Sequence, residues 1–254
     1  MIFAAGLGTR LKPITDTMPK ALVPLAGRTL LQWQVEKLRD AGITDIIVNV
    51  HHFPDMIIET IHRNEGWGCN ISVSDERDRL LDTGGGLRKA LDIAHLTLDN
   101  EPILACNVDI LSNIDVRKLI SRYEQTGQSQ LVVSERQTQR YLLFDDDSIL
   151  RGWTNIATEE VKPHNLKLDI GDLKLLAFSG MQILSPEILN RLGEMPEDKF
   201  SLIDFYLHLC EENQESGIKN HKSILQAYVP ENYRMMDVGK IDQIDEAETF
   251  ASSL

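Results

Sequence analysis

Met1–Leu30 reads MIFAAGLGTRLKPITDTMPKALVPLAGRTL, and the fold follows from how this stretch is parsed. Met1-Ile2-Phe3-Ala4-Ala5 is an apolar run with the length and character of a buried parallel strand. At Gly6 the pattern turns, and Gly6-Leu7-Gly8-Thr9-Arg10 gathers two glycines, a hydroxyl and a guanidinium. Glycine lets backbone N–H groups close on an anion, and successive amides in such a turn make a concave anion site. Arg10 offers phosphate oxygens a fork and Lys20 a point charge. Pro19 and Pro24 stiffen the chain on both sides of that lysine. A G-x-G alone identifies no ligand. The dinucleotide fingerprint needs a third glycine where Leu11 stands, and the P-loop pattern is absent. Without a ligand, the same residues read as a strand, a tight turn and a proline-rich surface loop.

Working outward, Leu30–Arg39 spaces its apolar residues as a helix and ends at Ala41-Gly42, a glycine C-cap. Ile43–Val50 is a second strand, Phe53–Arg63 an amphipathic helix, and Ile71–Ser74 a third strand. This alternation predicts a parallel sheet with right-handed crossovers. Ile103–Val108 continues the sheet, helix Val116–Gln125 follows, and Gln130–Ser134 is the next strand. In such sheets ligands sit at the carboxyl ends of the strands, which places Gly6, Asn49 and Asn107-Val108-Asp109 on one edge. From Glu135 the rhythm changes. Tyr141–Phe144 and Ile149–Trp153 predict a hairpin around Asp145-Asp146-Asp147, a solvated turn that lacks the ligand spacing of an EF-hand. Residues 154–172 read as an irregular polar loop beside the substrate, and Leu173–Leu184 as a strand with Gly180 inside it. Helices at Pro186–Leu192 and Leu202–Glu211, a strand at Ile224–Val229 and a helix from Asp242 to about Ala251 complete the chain. The expected fold is α/β: one Rossmann-like domain over 1–254, with a mixed, mostly parallel central sheet flanked by helices. Its first part spans residues 1–130, and its second part, with the terminal helix, spans 131–254. No internal repeat or linker is visible.

Composition bounds the partners. At 254 residues, 42% hydrophobic and 26% charged, the chain can bury a sizeable core. Its net charge of −13 argues against nucleic acid or an anionic membrane surface as a partner. Residues 1–28 run the other way, with Arg10, Lys12, Lys20 and Arg28 against Asp16 alone. A basic pocket in an acidic protein suits a small phosphorylated ligand. Cys69, Cys106 and Cys210 are widely spaced and odd in number, as expected of reduced thiols in a cytoplasmic protein. No apolar run approaches the roughly 18 residues of a membrane span.

Two carboxylates stand where chemistry can use them. Asp109 follows the fourth strand and faces the glycine loop, placed either to hold Mg2+ on triphosphate oxygens or simply to cap a turn before Ser112-Asn113. Asp237 lies in Met236-Asp237-Val238-Gly239, again between a strand and a turn, with the same two readings. Thr83-Gly84-Gly85-Gly86 precedes a helix ending near Ala94 and offers amides and open space to a flat base, or is only a flexible turn. Other candidates fail on spacing. His51-His52 have no third ligand at a fixed offset, and Ser201 and His208 have no visible orienting acid.

The run Ala5-Gly6-x-Gly8-Thr9-Arg10-Leu11-x-Pro13, continued by Thr15, Pro19-Lys20, Leu22, Pro24 and Gly27, closely resembles the signature of the sugar-1-phosphate nucleotidyltransferases. That family is expected to join a nucleoside triphosphate to a sugar 1-phosphate and release pyrophosphate, which implies that residues 1–130 form the nucleotide-binding part and 131–254 the sugar-phosphate part with the terminal helix. Relatives carry two or three more residues before the apolar run, so either the start is trimmed or the first strand is short. The resemblance implies that Ala5, Gly6, Gly8, Thr9, Arg10, Thr83, Gly84 and Gly85 contact the nucleotide. It also implies that Arg10, Lys20 and Asp109 are catalytic and that Asp109 and Asp237 bind Mg2+. Val108 replaces the family's usual glycine before the first aspartate, and Met235 stands where a tryptophan is usual. Neither change removes an oxygen ligand. Phe178–Pro186 is similar to the segment that borders the sugar, which places Asn107 and Gly180 at the substrate, and Phe200–Asp204 matches in style. Glu159-Glu160 before Lys162-Pro163 resembles a sugar-phosphate E-K-P. No hexapeptide-repeat tail is seen. Thr83-Gly84-Gly85-Gly86 looks most like the N-acetylmuramate-1-phosphate uridylyltransferase branch, which favours UTP. The alternatives are a mannose-1-phosphate guanylyltransferase, a phosphocholine-type cytidylyltransferase, and a nucleotide-sugar sensor without activity. The oligomeric state is left open.

Overall fold

In the computed structural model, which describes residues 1–94, 101–216 and 225–254, the short first strand lies at the middle of the sheet. The strands are β1 (Ile2–Phe3), β2 (Pro24–Leu25), β3 (Arg28–Thr29), β4 (Asp45–Val50), β5 (Asn70–Asp75), β6 (Ile103–Asn107) and β7 (Ile110–Ser112). They continue as β8 (Ser129–Ser134), β9 (Arg140–Phe144), β10 (Leu150–Asn155), β11 (Glu160–Lys162), β12 (Lys174–Leu184), β13 (Leu225–Tyr228) and β14 (Met235–Asp237). The helices are α1 (Leu30–Asp40), α2 (Pro54–Arg63), α3 (Asp82–Ala94), α4 (Val116–Thr126), α5 (Pro186–Leu192), α6 (Leu202–Ser216) and α7 (Ile244–Ala251). The expected start of the penultimate strand at Ile224 lies outside the described residues.

β5, β4, β1 and β6 run parallel in that order, with Phe3 level with both Asn49 and Asn107. The carboxyl ends of these strands therefore form one edge, as the alternation of strand and helix predicts. β12 enters antiparallel to β6 and, along its length, also pairs with β8 and β9. Of the ten strands in this sheet, β12 and β10 run against the rest, so the sheet is mixed and mostly parallel. Both faces are covered. Alternate residues of β6 separate cleanly, with Leu104 and Cys106 in the core beneath α1, α2, α4 and α7, and Ile103 and Ala105 beneath α3, α5 and α6. No described helix is long and apolar enough to cross a membrane.

One expectation for the second half needs correcting. Residues 154–172 are not wholly irregular: Glu160–Lys162 forms β11 against β10. Gly152 permits this, since a Cβ there would lie 2.4 Å from the Lys162 carbonyl oxygen, and Thr154 Oγ1 donates to the Glu160 carbonyl at 3.0 Å. A half-buried edge strand of three residues, with Val161 as its one apolar side chain between two charges, is too short to show a period. In the acidic turn, Asp145 is bound to Arg151 at 2.6 Å and accepts the Ile149 N–H, while Asp146 stays in solvent.

β7 and β14 form a small two-stranded sheet beside the candidate carboxylates, with Asp109 just before β7 and Asp237 at the end of β14, and α1 holds it. Gln34 donates to the Ile110 carbonyl at 2.6 Å and Lys37 to the Ser112 carbonyl at 2.7 Å, which satisfies the free edge of β7. Burial lowers the Lys37 ammonium from its ordinary 10.5 to about 8. Between those values the unfolded chain takes up a proton that the folded chain refuses, so folding weakens as pH falls, and the penalty is complete below about 8. Lys37→Met removes this penalty. Its stability relative to the unmodified chain should be most favourable near neutral pH and should drop by about 3 kcal/mol, as an upper bound, toward pH 10.5. Urea unfolding of both chains across that range reads the change, and a pH-independent difference would contradict the shift.

Candidate active site

The glycine turn after β1 is built by sterics at Gly8. Its φ is +63°, and a Cβ there would lie 2.9 Å from the Thr15 methyl and 3.1 Å from the Lys20 Cβ. Thr15 Oγ1 donates to the Gly8 carbonyl at 2.8 Å, so the turn is tied to the proline-flanked segment behind it. Gly6, Leu7, Thr9 and Arg10 are exposed along this turn, and Ala5 is buried beneath it. Lys20 is 7% exposed on a short 3-10 turn, and its ammonium donates to Asp109 Oδ2. Arg10 reaches Asp237, with Nη2 3.7 Å from Oδ2. Gly239 makes room for that contact: a Cβ would lie 2.5 Å from Asp237 Oδ1 and 2.6 Å from Arg10 Nη2. The antiparallel pairing of β7 with β14 aligns Asp237 with Ile110, and Val238 N–H donates to the Asp109 carbonyl at 2.8 Å. Arg10, Lys20, Asp109 and Asp237 thus come from four separated segments to one place. Val108 is buried in the core, and Met235, the other departure from the familiar motif, is half-buried opposite Ser112 of β7, on the other side of β14 from the core-packed Met236.

Asn107 and Gly180 also meet. A Cβ on Gly180, whose φ is +72°, would lie 3.1 Å from Asn107 Nδ2, inside a bulge where β12 shifts register against β8 between Phe178 and Gln182.

The glycine-rich stretch needs correcting in place. Gly84, Gly85 and Gly86 do not precede the helix but form the first turn of α3. The N–H groups of Gly84 and Gly85 donate to the Phe200 carbonyl at 2.9 and 3.2 Å, and Thr83 Oγ1 accepts the Leu202 N–H at 2.9 Å. A Cβ on Gly84 would lie 2.4 Å from the Phe200 ring, and one on Gly85 would lie 2.2 Å from the Asp198 carbonyl oxygen. Close packing on 198–202 explains these glycines, a partner that the sequence reading of a base-contacting or flexible turn did not include. Gly86 sits over a buried pair: Asn49 Nδ2 donates to Glu76 Oε1 at 2.7 Å. Asn49 Oδ1 accepts the Ala4 N–H at 2.8 Å, and Glu76 Oε2 accepts the Leu81 N–H at 3.0 Å. The sequence reading passed over Glu76 because it stands in the charged run Asp75–Arg79, and its one signal was its place just beyond a strand end.

The rejected candidates are accounted for by structure. His51 Nδ1 bonds the Glu76 carbonyl, and His52 Nε2 bonds that of Thr15. Ser201 and Asp204 cap α6 reciprocally, with Asp204 N–H donating to Ser201 Oγ at 3.1 Å. Lys162 is paired with Glu160 and lies over the Trp153 ring.

Asp237 is the electrostatically strained member of the site. Burial raises its pKa first, and the Asp109 carboxylate raises it further, while Lys20, Arg10 and Arg136 pull it back. Two carboxylates that disfavour each other's charge, with oxygen donors only, fit a hard divalent cation that completes its shell from phosphates and water. Among the described residues no group of three or more His, Cys, Asp or Glu side chains could hold a metal without such help.

Residues 1–253 match the protein-family model described as nucleotidyl transferase, and the chain belongs to that family. It is 27% identical over 224 residues to the N-acetylmuramate alpha-1-phosphate uridylyltransferase of Caulobacter vibrioides, an alignment covering 86% of each chain. It is 29% identical over 199 residues to the mannose-1-phosphate guanyltransferase of Saccharomyces cerevisiae, across 77% of this chain and 52% of the yeast enzyme. The chain therefore spans only about half the length of that yeast relative. A solved putative glucose-1-phosphate thymidylyltransferase from Bacillus anthracis superposes with a TM-score of 0.75 at 16% identity, over 100% of this chain and 94% of the other. The expected family and fold are borne out.

The raised pKa of Asp237 means that its ionised form weakens the fold. Stability from this group is fullest below the unfolded carboxylate range and is lost as pH rises through the folded value. In metal-free buffer near neutral pH, Asp237→Asn should melt at a higher temperature than the unmodified chain, and the gap should close in acid. Scanning fluorimetry at several pH values reads this. An unchanged or lower melting temperature at neutral pH would refute it.

Proposed function

We propose that this nucleotidyl transferase moves a uridylyl group from UTP to an amino-sugar 1-phosphate and releases pyrophosphate. The observation that carries the reaction class is the convergence of the Lys20–Asp109 and Arg10–Asp237 pairs beside the glycine turn at the sheet's carboxyl edge. Such a site holds phosphates rather than attacking them, and no nucleophilic side chain is required. The sugar-phosphate oxygen attacks the α-phosphorus in line, and catalysis rests on positioning and charge neutralisation.

Each residue then has a task. The amides of Gly6, Gly8 and Thr9 cradle the triphosphate. Arg10 swings from Asp237 to the departing pyrophosphate, a short move for an exposed guanidinium at 3.7 Å. Lys20, held by burial and by the 3-10 turn, keeps a positive charge at the reacting phosphates. Asp109 and Asp237 would hold Mg2+, which when bound supplies positive charge to the α-phosphate oxygens. Asn107 and Gly180 border the sugar. The base lies over Gly84–Gly85 and the Asn49–Glu76 pair. Because Phe200 occupies the two glycine N–H groups, the base meets the flat surface of the turn and not its amides.

Parts of one unit do not add. Asp109→Ala and Asp237→Ala should each remove most turnover, and the double variant should do little further damage. Steady-state rates of pyrophosphate release across the set test this, and multiplying losses would break the shared-metal assignment.

UTP over GTP rests on the resemblance of Thr83–Gly86 to the uridylyltransferase branch and on the long alignment with the Caulobacter enzyme. Pyrophosphate release should require Mg2+ and a sugar 1-phosphate together. kcat/KM should favour UTP with N-acetylmuramate or N-acetylglucosamine 1-phosphate over GTP with mannose 1-phosphate. A preference for the latter pair would overturn the base and leave the reaction standing. Nucleotide-sugar binding with no turnover in any pair would favour a sensor.

A further inference from the structure

Three cations act on Asp237, and only two have a carboxylate of their own. Lys20 is on Asp109 and Arg10 is on Asp237 itself. The third, Arg136, follows β8, is exposed, and donates through Nη2 to the Phe178 carbonyl at 3.0 Å. Among the described residues no carboxylate lies within ion-pair distance of it. Its anchor is also placed for the task. Phe178 begins the register shift of β12, and two residues on is Gly180, packed against Asn107. Arg136 therefore spans the bulge that borders Asn107, with one N–H group spent on a backbone carbonyl and the rest of its fork unpaired.

We propose that Arg136 binds the phosphate of the acceptor sugar 1-phosphate and presents its oxygen to the α-phosphorus. The inference rests on the nucleotidyl-transfer reading above. The triphosphate engages the cations of the glycine turn, Arg10 and Lys20. A second phosphate arriving from the β12 side needs a counter-charge of its own, because it must approach an already anionic centre. An arginine suits this better than a lysine, since its planar fork can keep the Phe178 carbonyl and still offer paired N–H groups to phosphate. The carbonyl bond sets the direction of the guanidinium before substrate arrives, which lowers the ordering cost of binding.

The test is steady-state kinetics of pyrophosphate release, with each substrate varied at saturating levels of the other, for the unmodified chain and R136A, R136Q and R136K. R136A and R136Q should raise KM for the sugar 1-phosphate by about tenfold or more and leave KM for the triphosphate within about twofold. R136K, which keeps the charge but not the fork, should recover part of the loss. R136Q separates the two roles of the side chain, because its amide can still donate to a backbone carbonyl. If R136Q behaves like the unmodified chain while R136A fails, Arg136 only braces the bulge and the proposal is overturned. Equal losses for both substrates, or no change in either KM, overturn it as well. The unmodified chain keeps the two readings apart: its turnover beside an unaffected R136A defeats only the role of Arg136. Failure of the unmodified chain with every substrate pair defeats the reaction class and this inference with it.

Discussion

The site hangs on one buried side-chain amide. Asn49 is 3% exposed at the end of β4, and its two polar atoms serve two different loops. The carbonyl oxygen takes the Ala4 N–H at the point where β1 gives way to the glycine turn, and the NH2 group holds Glu76. Glu76 in turn fixes the Leu81 N–H at the entrance of α3. An unmade bond at any of these atoms would leave a buried polar group without water, at a cost of about 1–3 kcal/mol and more for the carboxylate. The phosphate turn and the glycine helix are thereby set against each other by a chain of satisfied bonds, with little contribution from surface loops. Such a chain is rigid because each partner is already spent.

Close approach is the second constraint. Gly84 and Gly85 let α3 rest on the backbone of 198–200, and Gly86 lets it rest on the Asn49–Glu76 pair. Gly239 lets Arg10 lie across Asp237, and Gly152 lets β10 meet β11. At Gly84, Gly85 and Gly152 a Cβ would meet a backbone oxygen and push two backbones apart, whereas at Gly86 and Gly239 it would displace the side chains of the Asn49–Glu76 and Arg10–Asp237 pairs. The same economy shapes the acceptor side, where the bulge at Gly180 bends β12 beside Asn107 and re-aims the strand at the carboxyl edge.

Electrostatics work against the fold at the same place. An acidic chain gathers Arg10, Lys20 and Arg136 around two carboxylates, one of which burial and its neighbour push toward protonation. A protein selected only for stability would not keep Asp109 and Asp237 on adjoining strands. The family to which the chain belongs moves phosphate groups, and a site with unreleased charge repulsion gains most when a cation and a polyphosphate enter it.

The sequence alone determined the longer strands and the helices, the carboxyl edge and the family, because these depend on local quantities; strands of two or three residues such as β2, β3, β7 and β11 are too short to show a period. Apolar period, turn residues and the spacing of Gly6, Gly8, Arg10 and Lys20 can all be read along the chain. It also marked Asp109 and Asp237, each visible as an acid between a strand and a turn. Tertiary structure decided the rest. That Lys20 belongs to Asp109 and Arg10 to Asp237 depends on the pairing of β7 with β14, across more than a hundred residues of sequence separation. That Gly84 and Gly85 spend their amides on Phe200 depends on a segment whose sequence shows no complementarity to them. Glu76 and Arg136 were hidden for the same reason: a charged residue in a polar stretch looks solvated until the fold shows which atoms face it. Local pattern fixes how a segment folds, whereas partners are chosen by distance in space, and distance is set only when the layers pack.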